Sequence, residues 1–163
     1  MSGIHRELHG IGSVPELAIS RWFNTKTPLT LAGLRGRPVL IHAFQMLCRG
    51  CVLHGTPQAL KVAQFFPADR VAVIGLHTVF EHHEAMTPVS LKAFIHENRI
   101  GFPVGVDMAD EATFPIPRTM AHYDMRGTPS LLLFDKLGKL RQHVFGQIDD
   151  MALGAEIAML AAG

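Results

Sequence analysis

Apolar runs divided by polar, glycine or proline residues indicate alternating strands and helices along the chain. The runs "PVLIHAF" (residues 38–44) and "RVAVIGLH" (residues 70–77) are continuous and rich in β-branched residues. That pattern is typical of strands buried on both faces of a sheet. Shorter strands are predicted in "LAISRWFN", in "IGFPVGVD" and on both sides of a turn at residues 136–139, where Gly138 can adopt a positive φ.

Helical spacing of apolar residues fills the stretches between these strands. A helix is predicted after the second cysteine, and Pro57 should kink it. "TPVSLKAFIHENR" places Pro88 at a first helical position, and Asp149 or Asp150 can cap a last helix. The order of elements predicts an α/β fold, a three-layer sandwich in a single domain over residues 1–163.

Composition narrows the class of protein without deciding its function. The chain has 163 residues, 48% hydrophobic and 18% charged, which suits a folded domain. Fifteen basic and fourteen acidic residues leave a net charge of +1, too little to favour nucleic acid or an anionic membrane. The apolar runs are far shorter than the roughly 20 residues of a membrane helix. We therefore expect no nucleic-acid partner and no membrane span, and the oligomeric state stays open.

The N-terminal residues bear on the expected compartment. His5, Arg6 and Glu7 interrupt the apolar residues there, so the apolar core of a secretion signal is missing. We therefore expect a cytoplasmic protein. In that reducing compartment, two cysteines at C-x-x-C spacing are more often catalytic or metal-binding than structural.

The chain has two cysteines, Cys48 and Cys51, which follow a predicted strand in "HAFQMLCRGC". Where a strand ends and a helix begins, the first cysteine meets unpaired N–H groups and the positive end of the helix dipole, which lower the pKa of its thiol. We expect Cys48 to attack and Cys51 to resolve the mixed disulfide. Arg49 adds a cation beside the thiolate, and Gly50 leaves the approach to it open.

Two other interpretations of the cysteines stay open. They can be inert buried residues, or they can form half of a metal site in a Cys/His metal-binding module. The residues available to complete such a site are His77, Glu81, His82 and His83. These four residues are more simply read as a polar loop after a strand, so we predict neither a metal nor another cofactor.

Three segments together resemble the thioredoxin superfamily, and specifically the redoxin branch with the cytochrome-maturation thioredoxins and AhpC/TSA-like relatives. They are "PVLIHAFQMLCRGC", "DMRGTPSLLLFDKLGKL" and "LAISRWFNTKTPLTLAGLRGRPVLI". The resemblance implies a thioredoxin-like sandwich with a central mixed sheet, an N-terminal strand extension and an inserted helix and strand in residues 78–107. It also implies a thiol–disulfide oxidoreductase that acts on protein or small-molecule disulfides and depends on an upstream thiol reductant.

The second of these segments carries the expected substrate loop. By the resemblance, Pro129 is a cis-proline whose loop abuts Cys48. The backbone of Thr128 is then free to pair with an extended substrate, in the manner of strand addition.

Two histidines stand where relatives carry acids. His42 replaces the aspartate that thioredoxins bury before the cysteines, and His54 replaces a glutamate of the cytochrome-maturation thioredoxins. Our hypothesis is that one of them relays the proton of Cys51, with the pKa of His42 near the working pH. His42 can equally be a hydrogen-bonded core residue.

A peroxiredoxin-like thiol peroxidase is the alternative function. Peroxiredoxins show P-x-x-x-[TS]-x-x-C, and neither cysteine satisfies that pattern, since Ile41 and Gln45 occupy the required positions before Cys48. Arg126 resembles the arginine that steadies peroxide in that family, although "RGTPS" fits the cis-proline loop equally well.

Overall fold

A six-stranded mixed sheet forms the centre of the computed structural model, which describes residues 14–163. The strands are β1 (Ile19–Phe23), β2 (Val39–Phe44), β3 (Ala72–His77), β4 (Val104–Asp107), β5 (Ser130–Phe134) and β6 (Leu140–Phe145). Their order across the sheet is β1-β4-β3-β2-β5-β6. Strands β2, β3 and β4 are parallel, whereas β1, β5 and β6 run antiparallel to their neighbours. The predicted mixed sheet is confirmed.

Helices cover both faces of this sheet and complete the three layers. They are α1 (Thr56–Phe65), α2 (Pro88–Glu97), α3 (Arg118–His122) and α4 (Asp150–Ala162), with short 3₁₀ turns at Ala32–Leu34 and His83–Ala85. Apolar residues of α1, α2 and α4 pack in one core cluster, and those of α3 pack in the other. The expected thioredoxin-like architecture, including a helix and a strand inserted within residues 78–107, is therefore confirmed.

Strand β2 supplies both cores because all six of its residues are buried and successive side chains point to opposite faces. Leu40 and Phe44 belong to the core under α1, α2 and α4, while Ile41 belongs to the opposite core. By the same alternation, His42 lies on the Leu40 face, and His77 lies on that face of β3. Two imidazoles are thus buried in an otherwise apolar layer.

The helix after the cysteines differs from the prediction at Pro57. A wide π-helical turn, Cys51–Gly55, precedes α1, and the N–H of Thr56 donates to the carbonyl of Cys51 five residues earlier. Pro57 then falls in the first turn of a regular helix, where a missing N–H is tolerated. The expected kink at Pro57 is replaced by a π-turn on its N-terminal side.

A buried carboxylate joins the inserted segment to the rest of the molecule. Asp107, at the end of β4, accepts the N–H groups of Thr119 (2.7 Å) and Met120 (3.0 Å) at the start of α3. It also accepts the hydroxyl of Thr78 at 3.0 Å. Burial raises the pKa of Asp107, against the opposite effect of these hydrogen bonds. The carboxylate thereby fixes the chain directly after β3.

The expected compartment depends on His5, Arg6 and Glu7, which lie outside the described residues. None of the helices in residues 14–163 combines the length and the apolar character needed to cross a membrane.

Candidate active site

The two cysteines form a disulfide at the carboxyl end of β2, with Cα atoms 5.2 Å apart. Cys48 is half-buried, whereas Cys51 is 1% exposed and belongs to the core under α1. The N–H of Cys51 points to the Sγ atom of Cys48 at 3.2 Å. One sulfur is thus open to a partner molecule, and the other is enclosed.

The loop before β5 lies against this disulfide. Because β5 pairs antiparallel with β2, its first residues meet the last residues of β2. The Thr128–Pro129 bond is cis, as predicted, and the carbonyl oxygen of Thr128 lies 3.5 Å from Cys48 Sγ. A side chain on Gly50 would come within 3.2 Å of the Pro129 ring, so the glycine allows this close approach.

His42 is a buried neutral residue under the active-site helix. Its Nε2 atom lies 3.0 Å from the hydroxyl of Thr56, and its ring stacks on Phe44 with centroids 5.2 Å apart. Burial lowers the pKa of His42 to about 3. The expected pKa near the working pH is wrong because a buried imidazolium loses its hydration, and no carboxylate in residues 14–163 compensates for that loss.

Gly55 closes the π-turn directly above this imidazole. A Cβ atom at position 55 would lie 2.6 Å from Cε1 of His42 and 3.1 Å from Cβ of Pro129. The glycine therefore allows the turn, the histidine and the cis-proline loop to meet in one place.

The other predicted site residues lie at the surface. His54 is exposed and lines a groove of about 540 Å³ that also contains Leu53, Pro129 and Ile148. Arg49 and Arg126 are exposed as well, the first directly after Cys48 and the second two residues before Thr128. The roles assigned to these three residues stay predictions.

Gln45 is a site residue for which sequence reasoning found no role. Its buried side chain accepts the N–H of Phe80 at 3.1 Å and donates to the hydroxyl of Thr128 at 3.4 Å. The amide thus links the inserted segment to the cis-proline loop. The sequence feature that points to Gln45 is an amide residue at the end of an apolar strand, because a buried amide needs hydrogen-bond partners.

Three exposed apolar side chains lie within five residues of Cys48 in the sequence. Leu47, Val52 and Leu53 are 58%, 46% and 52% exposed.

Within residues 14–163 there is no group of three or more histidine, cysteine, aspartate or glutamate residues placed to hold a metal ion. The histidines considered for such a site are separated, since His77 is buried whereas His82 and His83 are exposed.

Two solved structures with high sequence identity match nearly the whole chain. A thioredoxin-like superfamily protein of known crystal structure is 64% identical, with a TM-score of 0.89 over 92% of this chain and 96% of that one. The chain belongs to the thioredoxin-like superfamily. A thiol-disulfide isomerase from Corynebacterium glutamicum is 48% identical to this chain, with a TM-score of 0.87 over 93% of this chain and 97% of the isomerase.

More distant similarity concerns the fold alone. A disulfide oxidoreductase of Mycobacterium tuberculosis has 17% identity and a TM-score of 0.65, over 90% of this chain and 96% of the other. No protein-family model and no curated protein matches the sequence. The disulfide-bonded C-x-x-C pair and the two nearer relatives confirm the predicted class: this thioredoxin-like protein is a thiol–disulfide oxidoreductase.

Replacement of Gly55 by alanine tests the contact between the π-turn and His42. The backbone at Gly55 is helical (φ −65°, ψ −51°), so alanine is locally favourable there. We nevertheless expect Gly55→Ala to lower the free energy of unfolding by about 1–3 kcal/mol, because the methyl group would overlap the imidazole. Urea denaturation measures this change. Gly154→Ala in α4 is the matched control, since it has open space around it and should be neutral or stabilising; equal stability of the two variants would contradict the contact.

The two buried histidines predict a loss of stability in acid. Burial lowers the pKa of His42 to about 3 and that of His77 to about 4, so between pH 6.5 and these values the unfolded chain binds protons that the folded chain does not. We expect each histidine to remove about 2 kcal/mol of unfolding free energy between pH 7 and pH 5. The raised pKa of Asp107 acts in the opposite direction, since the folded chain then binds a proton that the unfolded chain has lost.

Urea denaturation at pH 7 and pH 5 measures that loss. His42→Gln should lose about half of the pH dependence, and the control His96→Gln, on an exposed part of α2, should keep all of it. A native chain that is equally stable at both pH values would show that the two imidazoles are not buried in the neutral form.

Proposed function

We propose that this thioredoxin-like protein exchanges disulfides with protein and small-molecule partners, with Cys48 as the attacking residue and Cys51 as the resolving residue. The supporting observation is the unequal exposure of the paired sulfurs: Cys48 is half-buried beside the Thr128 carbonyl, and Cys51 is enclosed. Only the first can meet a disulfide carried by another molecule.

The reaction balances in two steps. The Cys48 thiolate attacks one sulfur of a substrate disulfide, a mixed disulfide forms, and the other substrate sulfur leaves as a thiolate. Cys51 then loses its proton and attacks Cys48 Sγ, which forms the Cys48–Cys51 disulfide and releases the second substrate thiolate. The substrate gains two electrons and the enzyme loses two, which an upstream dithiol reductant restores.

The position of Cys48 favours its anionic form. The N–H of Cys51 points to Cys48 Sγ at 3.2 Å, and a charge-assisted hydrogen bond of this kind stabilises a thiolate. Exposed Arg49 adds positive charge nearby. Because a stable thiolate stabilises the reduced enzyme, we propose a reduction potential above the roughly −270 mV of thioredoxin.

The surface around Cys48 favours a polypeptide substrate. The exposed side chains of Leu47, Val52 and Leu53 offer an apolar surface, and the Thr128 loop offers backbone groups to an extended chain. The groove lined by Leu53, His54 and Pro129 continues this surface. An unfolded segment next to a cysteine carries both apolar side chains and free backbone groups, so it suits both features.

The two histidines differ in what they can do for the proton of Cys51. With a pKa of about 3, His42 is a weak base at neutral pH, and its Nε2 atom is already paired with Thr56. His54 lies on the π-turn that begins at Cys51, and its exposed side chain can exchange a proton with solvent. We therefore assign the proton relay to His54 and a positioning role to His42.

Single-cysteine variants test the roles of the two sulfurs. We expect reduced Cys51→Ser to form a lasting mixed disulfide with insulin or oxidised glutathione, because the resolving thiol is missing. Cys48→Ser should form at most about a hundredth as much, since Cys51 is buried. Mass spectrometry of the intact protein gives the trapped fraction. More adduct on Cys48→Ser than on Cys51→Ser would reverse the assigned roles.

The proton relay is tested by the pH dependence of resolution, measured as thiol release from a preformed Cys48 mixed disulfide. We expect His54→Gln to slow this step about tenfold at pH 7 and to change its pH profile, because the base is lost. His42→Gln and the exposed control His96→Gln should keep the native profile. If His54→Gln and His42→Gln both keep it, neither imidazole relays the proton.

We also propose that the protein works in the cytoplasm, where a reductant keeps the dithiol available; the support is the sequence composition near the N-terminus.

An AhpC/TSA-like antioxidant role is the alternative function. The same variants separate it from disulfide exchange: fast consumption of hydrogen peroxide that persists in Cys51→Ser would favour a peroxidase.

A further inference from the structure

The loop that joins β2 to Cys48 is held by the end of β3 and the segment that follows it. Three consecutive residues, 45–47, each form a hydrogen bond with residues 77–86. The pairs are Phe80 N–H to Gln45 Oε1 (3.1 Å), Met46 N–H to His77 Nε2 (3.3 Å) and Leu47 N–H to Met86 Sδ (3.5 Å). The backbone N–H groups of Met46 and Leu47, next to the nucleophile, therefore donate to side chains and not to carbonyls of a strand or helix.

His77 is the least expected of these partners. It is the last residue of the otherwise apolar strand β3 and is fully buried, at 0% exposure. Because its Nε2 atom accepts the Met46 N–H, that nitrogen is unprotonated and the ring proton lies on Nδ1. Nδ1 is buried as well, and no residue in the described range 14–163 accepts a hydrogen bond from it.

Packing alone does not explain an imidazole at this position. A buried N–H without an acceptor destabilises the fold, since it has lost water and gained no partner. The ring lies beside Phe44, with centroids 5.1 Å apart, where leucine would pack without that cost. The Met46 N–H is the hydrogen-bond partner that His77 gains in return. A cost of this kind near a reactive group indicates a functional requirement.

We propose that His77 is a positioning residue for thiol–disulfide exchange: by accepting the Met46 N–H, it fixes the loop before Cys48 and holds the Sγ atom against the cis-proline loop. The distances fit this role, because Met46 is two residues before Cys48, whose Sγ lies 3.5 Å from the Thr128 carbonyl. The inference rests on the proposed attack by Cys48. It adds a residue that touches neither sulfur nor substrate.

Two substitutions separate positioning from packing. His77→Leu keeps the apolar packing and removes both the acceptor and the unpaired N–H. His77→Gln keeps a side-chain acceptor within reach of Met46. We expect His77→Leu to slow trapping of oxidised glutathione by Cys48, measured in the Cys51→Ser background, about fivefold. Its urea midpoint should stay close to that of the parent, because removal of the unpaired Nδ1–H offsets the loss of the acceptor for the Met46 N–H. His77→Gln should recover most of the rate.

Amide hydrogen exchange adds a readout at the loop itself. The Met46 amide should exchange faster in His77→Leu than in the parent and should regain protection in His77→Gln. The control His96→Leu, at an exposed position of α2, should change neither rate nor protection.

Three results would overturn the proposal. They are an unchanged trapping rate in His77→Leu, an unchanged Met46 amide, or a fall of rate and stability together in both His77 variants, which would make His77 a packing residue only. The parent Cys51→Ser protein reports separately on the proposed function. If it traps no glutathione, attack by Cys48 fails; if it traps normally while His77→Leu matches it, only the role of His77 fails.

Discussion

The antiparallel pairing of β5 with β2 is the contact on which the active site depends. Cys48 follows the last residue of β2 by four positions, and Pro129 immediately precedes the first residue of β5. Because the two strands run in opposite directions side by side, they bring together Cys48 and Thr128, which are 80 positions apart in sequence. The Thr128 carbonyl and the Cys48 sulfur owe their 3.5 Å separation to this register. No local element could supply it.

The residue buried under the active-site helix is a histidine, whereas thioredoxins carry an acid there, and the two side chains differ in charge. Where thioredoxins bury an aspartate that can hold a charge, this chain buries His42, which burial keeps neutral at ordinary pH. His77, one strand further on, is also neutral, and Phe44 lies between the two rings. These two imidazoles therefore supply hydrogen-bonding groups beneath the active-site helix without supplying charge.

The sequence was sufficient for the elements and for the pair of motifs, because both depend on local information. Buried β-branched runs predict β2 and β3, and the C-x-x-C and "GTPS" segments predict which loops meet. The predicted kink at Pro57 is wrong because the irregularity is a π-turn in the preceding residues, Cys51–Gly55. The predicted pKa of His42 is wrong because that pKa depends on burial in the folded chain, which the sequence does not show. The contacts of Gln45 and His77 with residues 30 or more positions away have no local pattern at all.

The enclosure of Cys51 has a consequence for the lifetime of the covalent complex with a substrate. A sulfur with 1% exposure is out of reach of thiols and disulfides in solution, so the Cys51 thiol is kept for attack on the Cys48 mixed disulfide. The Cα atoms of the two cysteines are 5.2 Å apart in the disulfide, so this attack takes place within one molecule and needs no second collision. Substrate release by this internal route therefore has a rate that does not depend on the concentration of thiols in solution, whereas the half-buried Cys48 sulfur stays accessible to them.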